Sequence, residues 1–146
     1  MTEYVARHEL NSIGVEIERL ESQGAVEIKA VPRRDATFRG LIKKGVHKGE
    51  AEAIAWILSL RKDLRPLFVS RDERAIRTAL SRGLGATDVM GLVVGTIEMG
   101  IVSREQARSA LIIWDDRQQQ LGRPSDYQDF DSTLARRRRR PPDFYK

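Results

Sequence analysis

Cysteine is absent from the 146-residue chain and only two His are present. Disulfide scaffolds, zinc knuckles and thiol catalysis are therefore excluded, and so are His-rich metal sites. No apolar run approaches the roughly 18 residues that span a bilayer. The N-terminus, Met1-Thr-Glu-Tyr-Val5, lacks the basic and apolar pattern of a signal peptide. A cytoplasmic protein without a membrane partner is the expectation. The glycines form neither a GxGxxG fingerprint nor a P-loop, so no nucleotide-binding motif is present.

What is present suits a soluble α/β domain. The chain is 40% hydrophobic and 32% charged, with a net charge of +5. Residues 135–146 hold five Arg, one Lys and one Asp, which is the whole of that excess. The remaining 134 residues balance at 20 positive against 20 negative. The basic character thus belongs to the C-terminal stretch and not to the body.

Periodicity divides the chain into alternating helices and strands. Val5, Leu10, Ile13, Ile17 and Leu20 recur at helical spacing, which predicts a helix over 3–22 that Gly14 interrupts and Gly24 follows. Ala25 to Val31 alternates and Pro32 stops it, which reads as a half-buried strand. A short helix is expected near Phe38 to Lys44. Gly49 to Arg61 carries small and apolar residues around most of a helix, a pattern of deep burial. Pro66-Leu-Phe-Val-Ser70 reads as a strand buried on both faces, which favours a parallel sheet. Helices follow over 72–82, with Gly83 as stop, and 88–99, with Gly100 as stop. Ser103 and Gln106 have capping-box spacing and open a helix to about Leu121. The domain is placed at 1–121, and the polar, Arg-rich stretch 122–146 is expected to be a disordered tail.

Three acids stand out by position. Glu50 follows the helix-opening Gly49, and Asp72 follows the buried strand by two residues. In a parallel sheet both would lie at the carboxyl edge, where functional groups collect. Glu9 lies on the first helix. Carboxylates without His or Cys suit hard ions such as Mg²⁺ or Mn²⁺, which lower the pKa of bound water and neutralise a scissile phosphate. The same acids have structural explanations: an acid in the first turn offsets the helix dipole, Asp72 suits an N-cap, and Glu9 suits a solvated face.

Four segments in order carry a family resemblance. They are Glu3-Tyr-Val-Ala-Arg-His-Glu-Leu10, Gly49-Glu-Ala-Glu-Ala-Ile-Ala55, Leu67-Phe-Val-Ser-Arg-Asp-Glu-Arg-Ala-Ile-Arg-Thr-Ala79 and Met90-Gly-Leu-Val-Val-Gly-Thr-Ile-Glu-Met-Gly-Ile-Val102. Together they resemble the PIN-domain family over roughly residues 3–112. The resemblance implies a three-layer α/β/α fold with a parallel sheet. It also implies metal-dependent RNA cleavage, often as the toxin of a toxin–antitoxin pair. Carried over residue by residue, it assigns Glu9, Glu50 and Asp72 as catalytic and metal-holding acids, with Mg²⁺ or Mn²⁺ as cofactor. Ser70, Glu52 and Asp88 are accessory candidates.

The family pattern begins with a strand ending in Asp, and no such segment occurs here, so the resemblance is to an N-terminally truncated version. A fourth acid would then be missing, and the strand edges would be open to pairing. The partners implied are RNA, an antitoxin protein and a second copy of the chain. The alternative is a non-catalytic nucleic-acid-binding or regulatory module that has lost a complete site.

Arg136, Arg137, Arg138, Arg139 and Arg140, followed by Phe144 and Tyr145, suit contact with nucleic-acid phosphates, though such runs are often only solvated. A second basic stretch, from Arg33 to Lys48, suits either the steering of RNA or a solvated loop face. Trp56 and Trp114 sit on apolar helical faces and are expected to pack in the core.

Overall fold

The computed structural model describes residues 14–29, 35–116 and 123–138. Eight segments read as helix or strand from the sequence; Glu9 and most of the first of them lie outside the described residues. The chain divides into two compact units, Met1–Phe68 and Val69–Lys146.

In the first unit, α1 (Gly14–Ser22) is the described part of the first helix and includes the glycine expected to interrupt it. The strand expected over Ala25 to Val31 is not formed as far as Lys29, which makes only an isolated bridge; the remainder lies outside the described residues. α2 (Ala36–Lys43) starts because the Asp35 carboxylate accepts from the Phe38 N–H at 2.8 Å. α3 (Lys48–Ser59) buries Ala51, Ile54, Ala55 and Ile57, as its apolar circumference predicts. α2 and α3 pack together and bury Phe38, Leu41 and Val46. A short 3₁₀ turn, Lys62–Leu64, follows.

The sheet is small: β1 (Phe68–Val69) runs parallel to β2 (Ala86–Thr87). The Ser70 N–H donates to the Thr87 carbonyl at 3.1 Å beyond the end of β1. The protein is therefore α/β, but mostly helical. Burial of β1 on both faces does not hold. Phe68 is buried while Val69 is 36% exposed, because a two-residue strand covers only one of its faces. β2 was not legible in the sequence, since two residues are too few to show a period.

α4 (Glu73–Ser81) and α5 (Val89–Glu98) follow β1 and β2 respectively. Their glycine stops behave as expected. Gly83 and Gly100 adopt φ of 73° and 69°, and the next residues, Leu84 and Ile101, donate back to Ala79 and Thr96. α6 (Arg104–Ala110) opens with the full capping box of Ser103 and Gln106. The single helix expected to continue to Leu121 breaks at Leu111, and α7 (Ile112–Asp115) is a separate turn.

The expected tail departs most from its sequence reading. Residues 130–138 form α8 (Phe130–Arg138), and Tyr127, Phe130 and Leu134 are buried. They join Met90, Val94, Ala107 and Trp114 in the core of the second unit. Trp114 meets Tyr127 edge-on, with ring centroids 5.4 Å apart. The spacing of 127, 130 and 134 is that of one helical face, and three such residues suffice to dock a segment whose average composition is polar. Ion pairs of Asp131 with Arg104 and Arg108 also tie α8 to α6.

Candidate functional site

Among the described residues, Glu50, Asp72 and Asp88 sit at helix starts, where local backbone chemistry puts an acid. The two units position them separately. In the first unit, Glu50 lies in the opening turn of α3, where an acid complements the helix dipole. Its Oε2 is buried without a hydrogen-bond partner among the described residues. A buried carboxylate oxygen left unpaired is costly, so this atom has capacity for a cation or donor. Glu52, two residues further along α3 and so on a different face, is buried.

In the second unit, Ser70 and Asp72 form a turn after β1. The Asp72 N–H donates to Ser70 Oγ at 3.1 Å. Asp72 Oδ1 in turn accepts from the Arg74 and Ala75 N–H groups at 2.8 and 3.3 Å. Asp72 is thus the N-cap of α4, the structural role weighed for it above. The cap uses one carboxylate oxygen. No three acidic or His side chains gather closely enough to hold a metal ion among the described residues. Glu9, Arg139 and Arg140 lie outside those residues.

Asp88 caps α5, its Oδ1 accepting from the Gly91 N–H at 2.8 Å. A methyl group at Gly91 would collide with the Thr87 side chain, so the turn requires glycine. Asp88 also receives Arg137 in a bidentate pair, Nη1 to Oδ1 at 3.2 Å and Nη2 to Oδ2 at 2.8 Å. The charge of this accessory candidate is therefore matched by Arg137. Planar forks of this kind are strong and directional.

The same guanidinium reaches Asp126, with Nε to Oδ2 at 3.1 Å and Nη2 to Oδ1 at 2.7 Å. Arg136 joins at Asp126 Oδ2, 3.1 Å away, and at the Asp126 carbonyl. Arg138 approaches Glu98 at 3.7 Å. Arg136, Arg137 and Arg138 are thus not a free run of charge but the ion-paired last turn of α8. Cations at a helix C-terminus are favoured by its dipole as well.

Electrostatics follow from this network. Burial pushes the Asp126 carboxyl up, but the hydrogen bond and charge of Arg137, with the charge of Arg136, outweigh it and hold the group below its usual range. For Arg137, burial works against the charge and the hydrogen bonds to Asp126 and Asp88 overcome it, so its pKa rises. Burial, and then the hydrogen bond from its hydroxyl to Asp115, push the Tyr127 phenol up.

A depressed folded-state pKa at Asp126 means that the unfolded chain binds its proton first. The contribution of Asp126 is complete above the unfolded value near about 3.9 and is lost as pH falls through the lower folded value. Wild type should exceed Asp126→Asn in unfolding free energy by up to about 1 kcal/mol at pH 6, since the carboxylate is 42% exposed and screened. That gap should shrink below about pH 4. Urea unfolding of both proteins at pH 6 and pH 3 measures it, and a gap unchanged between the two would mean the pairing is not formed.

The second unit contains a cleft of about 790 Å³ that the sequence did not reveal. Arg71, Arg123, Arg136 and Arg137 face it together with Asp88 and Asp126. No spacing rule brings these positions together, because they come from the β1–α4 turn, the start of α5, the approach to α8 and the last turn of α8.

The chain matches no protein-family model, no curated protein and no solved structure. No helix among the described residues is long and apolar enough to cross a membrane.

Proposed function

We propose that the chain is a PIN-like, Mg²⁺- or Mn²⁺-dependent ribonuclease whose fold elaborates the α/β core into the family's three-layer arrangement. The observation that carries this reading is the ordered set of four sequence segments. The partners it implies are RNA, an antitoxin protein of a toxin–antitoxin pair and a second copy of the chain. Glu9, Glu50 and Asp72 are the residues that would hold the ion. The unpaired, buried Glu50 Oε2 and the second carboxylate oxygen of Asp72 suit the hard-ion chemistry this requires. The ion supplies activation of water and neutralisation of phosphate charge.

RNA cleavage in Mn²⁺ tests the proposal, with an EDTA control and the variants Asp72→Asn and Glu50→Gln. Asn caps helices about as well as Asp, so Asp72→Asn should keep α4. Each variant should lose more than the roughly 10–100-fold that follows from removing a ligand's hydrogen-bond partner. Cleavage that survives either substitution or EDTA overturns the assignment.

One observation favours a second reading, a non-catalytic nucleic-acid-binding module. Asp88 is paired with Arg137, while four guanidiniums face one cleft. RNA binding by folded protein without cleavage is the outcome that reading expects.

A further inference from the structure

The cleft of the second unit carries a charge pattern that the proposed ribonuclease site does not use. Arg136 and Arg137 are matched by Asp126 and Asp88. Glu73 also faces the cleft but pairs with Arg77 at 2.7 Å. Arg71 and Arg123 have no carboxylate partner among the described residues. Arg123 is nevertheless held in place. Its Nη1 donates to the Trp114 carbonyl at 3.0 Å, and its guanidinium carbon lies 5.6 Å from the centre of the Tyr127 ring. A guanidinium has five N–H donors, so most of those on Arg123 remain for a ligand. Arg71 is exposed and forms no bond among the described residues.

Two unmatched guanidiniums at one cleft suit a doubly charged tetrahedral anion, which Arg binds through bidentate forks. Asp88 and Asp126 hold Arg136 and Arg137 in fixed positions at the same cleft, so those two side chains need little ordering when an anion arrives. Ile76, Leu80 and Val89 add apolar wall. A volume of about 790 Å³ exceeds that of a bare phosphate and falls in the usual range for small-molecule sites.

We propose that this cleft binds a phosphate-bearing ligand of the nucleoside monophosphate class, with Arg71 and Arg123 gripping the phosphate and the apolar wall receiving the nucleoside. The phosphate belongs either to a free nucleotide or to the 5′ end of an RNA strand. The proposal rests on the cleft alone and not on the metal-dependent reading.

Calorimetric titration of the full chain in EDTA and low salt tests it, which separates it from any question of cleavage. The probes are 5′-UMP, uridine and a short oligoribonucleotide with and without a 5′-phosphate. 5′-UMP should bind and uridine should not. Arg71→Gln and Arg123→Gln should each weaken 5′-UMP by at least tenfold. Arg108→Gln, which removes an equal charge away from the cleft, should change binding by less than twofold. Tighter binding of the 5′-phosphorylated strand than of 5′-UMP identifies a strand end as the source, and the reverse order identifies a free nucleotide. If Arg123→Gln loses its helical signal, Arg71→Gln decides alone, because Arg71 supports no fold contact. No binding of 5′-UMP, equal binding of uridine, or equal losses in Arg71→Gln and Arg108→Gln would overturn the proposal.

Discussion

Phe130→Ala is expected to lower the unfolding free energy of the second unit by about 3–5 kcal/mol, the usual cost of emptying a buried aromatic site. Phe130 is 1% exposed and sits among Met90, Val94, Trp114 and Leu134. Its ring is the largest fully buried side chain of α8. The described part of α8 spans nine residues, and short helices are marginal alone, so packing and not propensity holds it. Truncation should therefore release the helix as well as leave a cavity. Trp114 lies in the same core and reports on it. Its fluorescence in a Trp56→Phe background, followed through a urea titration, should show a much lower midpoint for Phe130→Ala. An unchanged midpoint would mean that α8 is not docked in solution.

Asp88→Ala should follow in size, costing about 2–3 kcal/mol. Two separate losses add. Removing the cap that the Gly91 N–H donates to costs about 1 kcal/mol. Removing one of the two carboxylates that hold Arg137 costs about another 1–2 kcal/mol, because the pair is largely withdrawn from solvent, with side-chain exposures of 25% and 18%. Arg137 keeps Asp126, which limits the second loss. Asp88→Asn should cost less, since Asn preserves the cap and loses mainly the charge. A double-mutant cycle with Arg137→Ala separates the two terms, and a coupling energy above about 0.5 kcal/mol is expected for groups in direct contact. Strict additivity would show that α8 and the start of α5 are energetically independent.

Asp88 was legible as an acid opening a helix, because capping is a matter of three or four adjacent residues. Its bond to Arg137 was not, because the partners are 49 positions apart. Phe130 was hidden for a related reason. It belongs to a stretch of Asp, Gln, Ser and Arg, and average composition there outweighs a three-residue apolar spacing. The candidate acids Glu50 and Asp72 were visible as positions at helix starts, and the structure puts them in those positions. The cleft was invisible, since its arginines come from three distant parts of the chain.

By itself, therefore, the sequence determined several helix boundaries and one buried face: Asp72 and Ser103 as caps, Gly83 and Gly100 as stops, and the apolar circumference of α3. Caps and left-handed glycines act through hydrogen bonds within one turn, so neighbours in sequence suffice to set them. Only the tertiary structure decided that β2 pairs with β1, that α8 joins the core and that Arg136 and Arg137 turn inward to Asp126 and Asp88. Each of these depends on surface that another element must supply, and burial and charge pairing across long separations leave no local signature in the chain.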